Sequence, residues 1–174
     1  MKKIPLILAG ILVFSAFVTY ISAQEKNPNR EEFSEFLSGT FTPAAQFDYG
    51  LWTATENEVV IGNAVGDMPG SPLTFTLVMD RRFMEKEQKS FTDGTWKFVS
   101  NDESEISGIF TGKGTSLTSF SGKFMTNQTE KRTGIYADAR IQGDFSCQLT
   151  LLSSYGNLWK YEAWWNGTFQ TGED

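Results

Sequence analysis

Histidine is absent from the 174-residue chain, and cysteine occurs once, at position 147. The first absence removes the imidazole that a Ser-His-Asp or Cys-His relay requires. The second leaves no intramolecular disulfide, and a lone thiol without histidine cannot supply the cluster of a zinc site. Basic residues are also few: 15 stand against 21 acidic ones, a net charge of −6. Nucleic-acid binders present basic faces, so no nucleic-acid partner is expected. No motif asks for a cofactor or a metal. Asp67 and the run Asp102-Glu103-Ser104-Glu105 lack the alternating ligand spacing of a calcium loop. Gly112-Lys113-Gly114-Thr115 resembles the end of a phosphate-binding loop, but it lacks the first glycine and the following helix, so it reads as a turn.

What is present begins with an address. Lys2 and Lys3 precede an uncharged stretch from Ile4 to Ala23, which ends in the cleavage-like triplet Ile21-Ser22-Ala23. This order predicts a signal peptide over residues 1–23 and a secreted or extracytoplasmic protein, at the cell surface or in a periplasm. The alternative is an uncleaved anchor, because 20 uncharged residues can just span a bilayer; it is the only membrane contact expected of the leading reading. The remaining 151 residues carry a net charge of −8 and have the length of one domain. Cys147 lies in phase with Phe145 and Leu149, so it is expected to be a buried, inert thiol.

Residues 24–39 read as a polar tether and a short helix. Asn29 can cap a helix over 29–37, Glu32 completes a capping box, and Phe33, Phe36 and Leu37 share one helical face. From residue 40 to 174 the period becomes 2, as in Phe75-Leu77-Met79, Ile106-Gly108-Phe110 and Phe120-Gly122-Phe124. Phe47-Tyr49-Leu51, Ile135-Ala137-Ala139-Ile141, Phe145-Cys147-Leu149-Leu151 and Trp159-Tyr161-Ala163-Trp165 alternate in the same way. Turn signals stand at Asp67-Met68-Pro69-Gly70, Thr92-Asp93-Gly94, Asn101-Asp102 and Gly156-Asn157. The expected fold is all-β, with about eight to ten antiparallel strands in one domain. A barrel is the first reading and a β-sandwich the alternative.

A repeat favours the barrel. Eight of the fifteen glycines after residue 23 are followed two positions later by an aromatic, as in Gly94-Thr95-Trp96 and Gly143-Asp144-Phe145. Random placement would give about two such pairs. Residues i and i+2 of a strand point to one face. There a glycine permits curvature and its aromatic neighbour covers the gap, a device of strongly coiled sheets. The stretch Thr133-Gly134-Ile135-Tyr136 through Gly143-Asp144-Phe145 resembles the glycine–aromatic strands of allene-oxide-cyclase-like and avidin-like barrels. It covers thirteen residues and implies a small barrel, with no site or activity attached.

Trp164 is the most suggestive surface residue. Trp159 and Trp165 fall on the apolar face, and Trp52 and Trp96 belong to the glycine repeat. Trp164 has the opposite phase, with Glu162 and Asn166 beside it, and should face solvent. An exposed indole next to carboxylate and amide groups is the chemistry of a sugar-stacking platform; an aromatic that merely covers the barrel is the alternative. Tyr136, Asp138 and Arg140 are expected on one strand face, where they converge on a ligand or form a solvent-facing ion pair. Asp138, Asp144 and Glu162 would serve glycoside hydrolysis if two of them came to lie ~5–9.5 Å apart. Ordinary solvent-facing acids explain them as well, so no catalytic residue is assigned.

Asn127-Gln128-Thr129 and Asn166-Gly167-Thr168 fit the N-glycosylation triplet; the first is expected to be accessible and the second shielded by its strand. The leading functional expectation is an exported, non-enzymatic β-barrel that binds a small apolar molecule or a glycan. A structural or protein-interaction domain is the first alternative, and a His-independent enzyme working through carboxylates or tyrosine the second. An outer-membrane barrel, apolar outside and polar inside, is the third.

Overall fold

A computed structural model describes residues 29–172 apart from 128, 131, 154 and 156, so the expected signal peptide lies outside the described residues. The strands are β1 (Arg30–Phe41), β2 (Gln46–Asp48), β3 (Thr53–Gly66), β4 (Leu73–Met84), β5 (Lys89–Val99), β6 (Glu105–Gly114), β7 (Ser119–Thr126), β8 (Arg140–Ser153) and β9 (Leu158–Gln170). Each of β3 to β8 pairs antiparallel with the next in sequence. β1 pairs with both β9 and β3, which closes an eight-stranded antiparallel barrel; β2 adds three residues to the start of β3. The barrel reading therefore holds and the sandwich does not.

The expected helix over Asn29–Leu37 is instead most of β1, the strand that closes the barrel, so the β domain begins at Arg30 rather than at residue 40. Phe33, Leu37 and Phe41 point inward, and the position that hides their period of 2 is Glu35, an acid that is also inward and buried. A capping box satisfies two backbone groups of a helix end. Here β1 pairs along its whole length with β9 and along half of it with β3.

Three further expectations shift. Ile135-Ala137-Ala139-Ile141 is not one strand: Gly134–Tyr136 forms a 3₁₀ turn with Gly134 at φ +57°, and β8 begins only at Arg140. The segment resembling avidin-like strands thus straddles a turn and a strand. Phe47-Tyr49-Leu51 is exposed, with only Phe47 in the short β2 and Tyr49 stacked on Trp52 at 4.2 Å. Thr92-Asp93-Gly94 is not a turn but the middle of β5, where Thr92 is buried and its hydroxyl donates to the Asp80 carbonyl.

The apolar face turns inward and the outward face is largely polar, the reverse of a lipid-facing barrel. Eight strands enclose a space just wide enough for side chains or one small ligand. Rings occupy its centre. Trp165 stacks on Phe124 at 4.3 Å and meets Trp96, Phe98, Phe110 and Phe145 at 5.6–6.5 Å. Inward glycines make that density possible. A Cβ on Gly108 would lie 2.4 Å from the Trp96 ring, and one on Gly143 2.8 Å from the Phe124 ring.

The two ends differ. At one, the loop between β3 and β4 folds over the barrel: the Met68 amide donates to Glu35 Oε1 at 2.7 Å, and the Tyr136 hydroxyl donates to the Pro69 carbonyl. At the other, Arg81 and Glu58 form an ion pair inside the wall.

Candidate functional site

Strand register assembles the outer surface of β1, β9, β8 and β7 in rows. In one row Val65, Phe36, Trp164 and Ser146 stand side by side, and in the next Ser34, Asn166, Asp144 and Lys123. A third row holds Glu32, Thr168, Gln142 and Met125. The second and third rows line an open groove of about 790 Å³, whose floor is the backbone of Gly143 and Gly167 with Phe33 and Phe124 beneath. These two glycines are register partners with inward Cα–H bonds, so the wall is thinnest there.

Trp164 lies one row beyond this groove, outside its lining and two residues before Asn166 on β9. It is 51% exposed, as its phase predicts, and its ring lies 4.9 Å from that of Phe36, tilted by 48°. The indole therefore rests against a second ring while keeping one side in water. One step down the groove, the Ser34 hydroxyl donates to Asn166 Oδ1 at 2.8 Å. Asn166 is exposed on the outward face of β9, contrary to the shielding expected for its triplet, because it alternates with the inward Trp165 and Gly167. Across from it, Lys123 and Asp144 approach to 3.8 Å, an exposed pair of little energetic weight. Glu162 lies on the other side of Trp164, half-buried, and accepts from Lys160 Nζ at 2.7 Å.

The other predicted residues do not join this group as a set. Tyr136 is fully buried in the cap of the closed end, and its hydroxyl is pushed well above its ordinary range by burial and by the charges of Asp102 and Glu35. Asp138 is exposed in the turn that follows, and Arg140 is exposed at the start of β8, beside the lower end of the groove. They share no strand face, because the chain turns between them. Of the carboxylates considered together, Asp144 and Glu162 are kept apart by register. Asp144 pairs with Asn166 while Glu162 pairs with Gln148, so the two acids stand four residues apart along β8 and β9, roughly 13 Å at the rise of a strand.

Sequence reasoning missed Phe36 and Ser34, both assigned to a helix that does not form. It also missed the buried pair at the open end. There Arg81 Nε and Nη2 donate to the two Glu58 carboxylate oxygens at 2.5 and 2.7 Å, and Nη1 donates to the Leu117 carbonyl at 2.9 Å. Cys147 is buried as expected, its thiol pushed up by burial, with a Tyr161 hydrogen bond and the Arg81 charge opposing. In class, the chain is a closed eight-stranded antiparallel barrel with a filled interior and an outer aromatic–polar groove. No protein-family model matches it, and comparison with curated proteins finds no relative.

Proposed function

We propose that the chain is an exported, non-enzymatic binding domain that takes a glycan along the groove, with one sugar face on Trp164. The observation that carries this reading is the exposed indole, braced by Phe36 and one row from a groove lined by hydroxyl, amide and carboxylate groups. A sugar ring has an apolar C–H face and a rim of hydroxyls. The first matches a flat aromatic, and the second needs donors and acceptors such as Ser34, Asn166, Gln142 and Asp144. The filled interior also supports the outer surface as the place of recognition. Export rests on the charge and apolar order of residues 1–23.

Affinity electrophoresis through gels cast with soluble β-glucan, xylan, mannan or pectin tests the reading. The expected result is retardation by at least one of them, weakened tenfold or more by Trp164→Ala, about 1.4 kcal/mol of binding. Because Trp164 is half exposed, the substitution should change stability by no more than about 1 kcal/mol. Retardation that is unchanged in the variant, or absent from all four gels, overturns the proposal.

A second reading has its own observation. Val59, Ile61 and Val65 are exposed on the outward face of β3, and Val65 is the register partner of Phe36. That apolar continuation would suit a protein contact. Sedimentation of the full chain separates the two: concentration-dependent association lost in Val65→Lys, with no glycan retardation, favours the protein contact.

A further inference from the structure

The open end of the barrel holds a second cavity, of about 490 Å³, within the range of small-molecule sites. It is separate from the groove. Its wall comes from the segment after β1 (Pro43, Ala44, Ala45), the start of β3 (Ala54, Thr55) and the tight turns at Leu117 and Asn157. Two side chains give it character. Trp159 lies across it with its indole N–H held by Asn157 Oδ1 at 3.1 Å, and Arg81 reaches it from the inner wall. Arg81 carries five N–H donors. Three are engaged, two by Glu58 and one by Leu117, which leaves two without a partner among the described residues. Thr55, on the same wall, has a buried hydroxyl oxygen with no partner, a condition that costs about 1–3 kcal/mol until something fills it.

The charge of the occupant follows from the same geometry. Glu58 already balances Arg81 with two short bonds, so the cavity holds unspent hydrogen-bond donors but no unspent charge. Glu58, held against the guanidinium behind the wall, would repel an anion and the guanidinium a cation, and either would leave water for a wall whose other polar side chains, Gln46, Thr53, Thr55 and Asn157, carry no charge. We infer that this open end is a binding site for a small, uncharged, ring-bearing molecule with a carbonyl or amide oxygen, its ring against Trp159 and its oxygen accepting from Arg81.

The test is a ¹H–¹⁵N NMR titration of the full chain with benzamide, run in parallel with benzoate, which has nearly the same shape and a negative charge. The expected result is saturable shifts at Ala44, Ala45, Thr55, Leu117 and the Trp159 indole N–H. Benzoate should bind at least tenfold more weakly, and Trp159→Leu should weaken benzamide tenfold or more. Because Trp159 also packs on the core, Ala45→Trp serves as a second variant; it fills the cavity from a loop and should abolish the shifts with the remaining spectrum unmoved. Benzamide shifts that are absent to high millimolar concentration, scattered away from these residues, or retained in Ala45→Trp overturn the site. Equal or tighter binding of benzoate overturns its neutral preference. Trp164→Ala should leave these shifts in place, which separates this site from the glycan groove.

Discussion

Replacing Arg81 by methionine while leaving Glu58 in place would strand a carboxylate whose side chain is 0% exposed. The Arg81 side chain is only 8% exposed, so neither partner is held in solvent. Removing one member of such a pair typically costs about 3–5 kcal/mol, because the remaining charge is buried without compensation. Arg81→Met and Glu58→Leu should each approach that range. For a domain of this size it corresponds to a fall in Tm of roughly 6–20 °C, at about 2–4 °C per kcal/mol. The double variant Glu58→Leu/Arg81→Met removes both charges and should lie within about 2 kcal/mol of the parent. Its residual cost comes from the Leu117 carbonyl, which loses its donor, and from Phe41, whose ring lies 5.7 Å from the guanidinium. Urea denaturation of all four proteins closes the cycle, with an expected coupling of several kcal/mol. If the double variant loses the sum of the two singles to within about 0.5 kcal/mol, the charges act independently and the reasoning is wrong.

Two other groups lend themselves to measurement. Burial raises the Glu35 carboxyl above its ordinary 4.5, against the pull of the Met68 amide and the Ser71 hydroxyl. The folded state then holds this proton more tightly than the unfolded state, so Glu35 favours folding most below pH 4.5 and loses that contribution as pH rises through the folded value. Glu35→Gln should therefore gain stability relative to the parent on going from pH 4 to pH 7; a constant or shrinking difference in urea midpoints would count against this. Cys147, with its thiol raised by burial, should resist DTNB in the folded chain and react in full once urea unfolds it. Stoichiometric labelling of the folded protein would show that the β8–β9 wall opens.

The fold was legible where alternation ran unbroken. In Phe75-Leu77-Met79, Phe120-Gly122-Phe124 and Trp159-Tyr161-Ala163-Trp165 a residue that faces in is apolar or glycine, and period 2 follows from the pleat. It was illegible where an inward position was polar for a tertiary reason. Glu35 faces in because the Met68 amide needs an acceptor, and Glu58 and Arg81 face in because they satisfy each other. Those partners lie 23 or more residues apart, beyond the reach of any local pattern. Trp164 was legible by phase alone. Phe36 was not, since its place beside Trp164 depends on β1 being a strand in register with β9.

The glycine repeat links the core to the proposed sites. Six of its eight pairs lie wholly on strands, and in each the glycine and the aromatic face inward. Each such glycine removes a Cβ from a crowded interior, and at five of the six a ring stands within 3.0 Å of where it would lie, as Phe124 does beneath Gly143 and Gly167. The ring that fills the core is thus also the one that underlies the groove, and the outer surface sinks where the wall has no side chains to support it. A barrel that spends its interior on packing keeps concave surface only where the wall thins or the strands end. At two such places rings meet polar groups: the exposed Trp164 one row from the glycine-floored groove, and the half-buried Trp159 at the open end. The two proposed sites both place recognition on the outside of the wall and its rim, and neither depends on the chemistry that an acidic, histidine-free composition excludes.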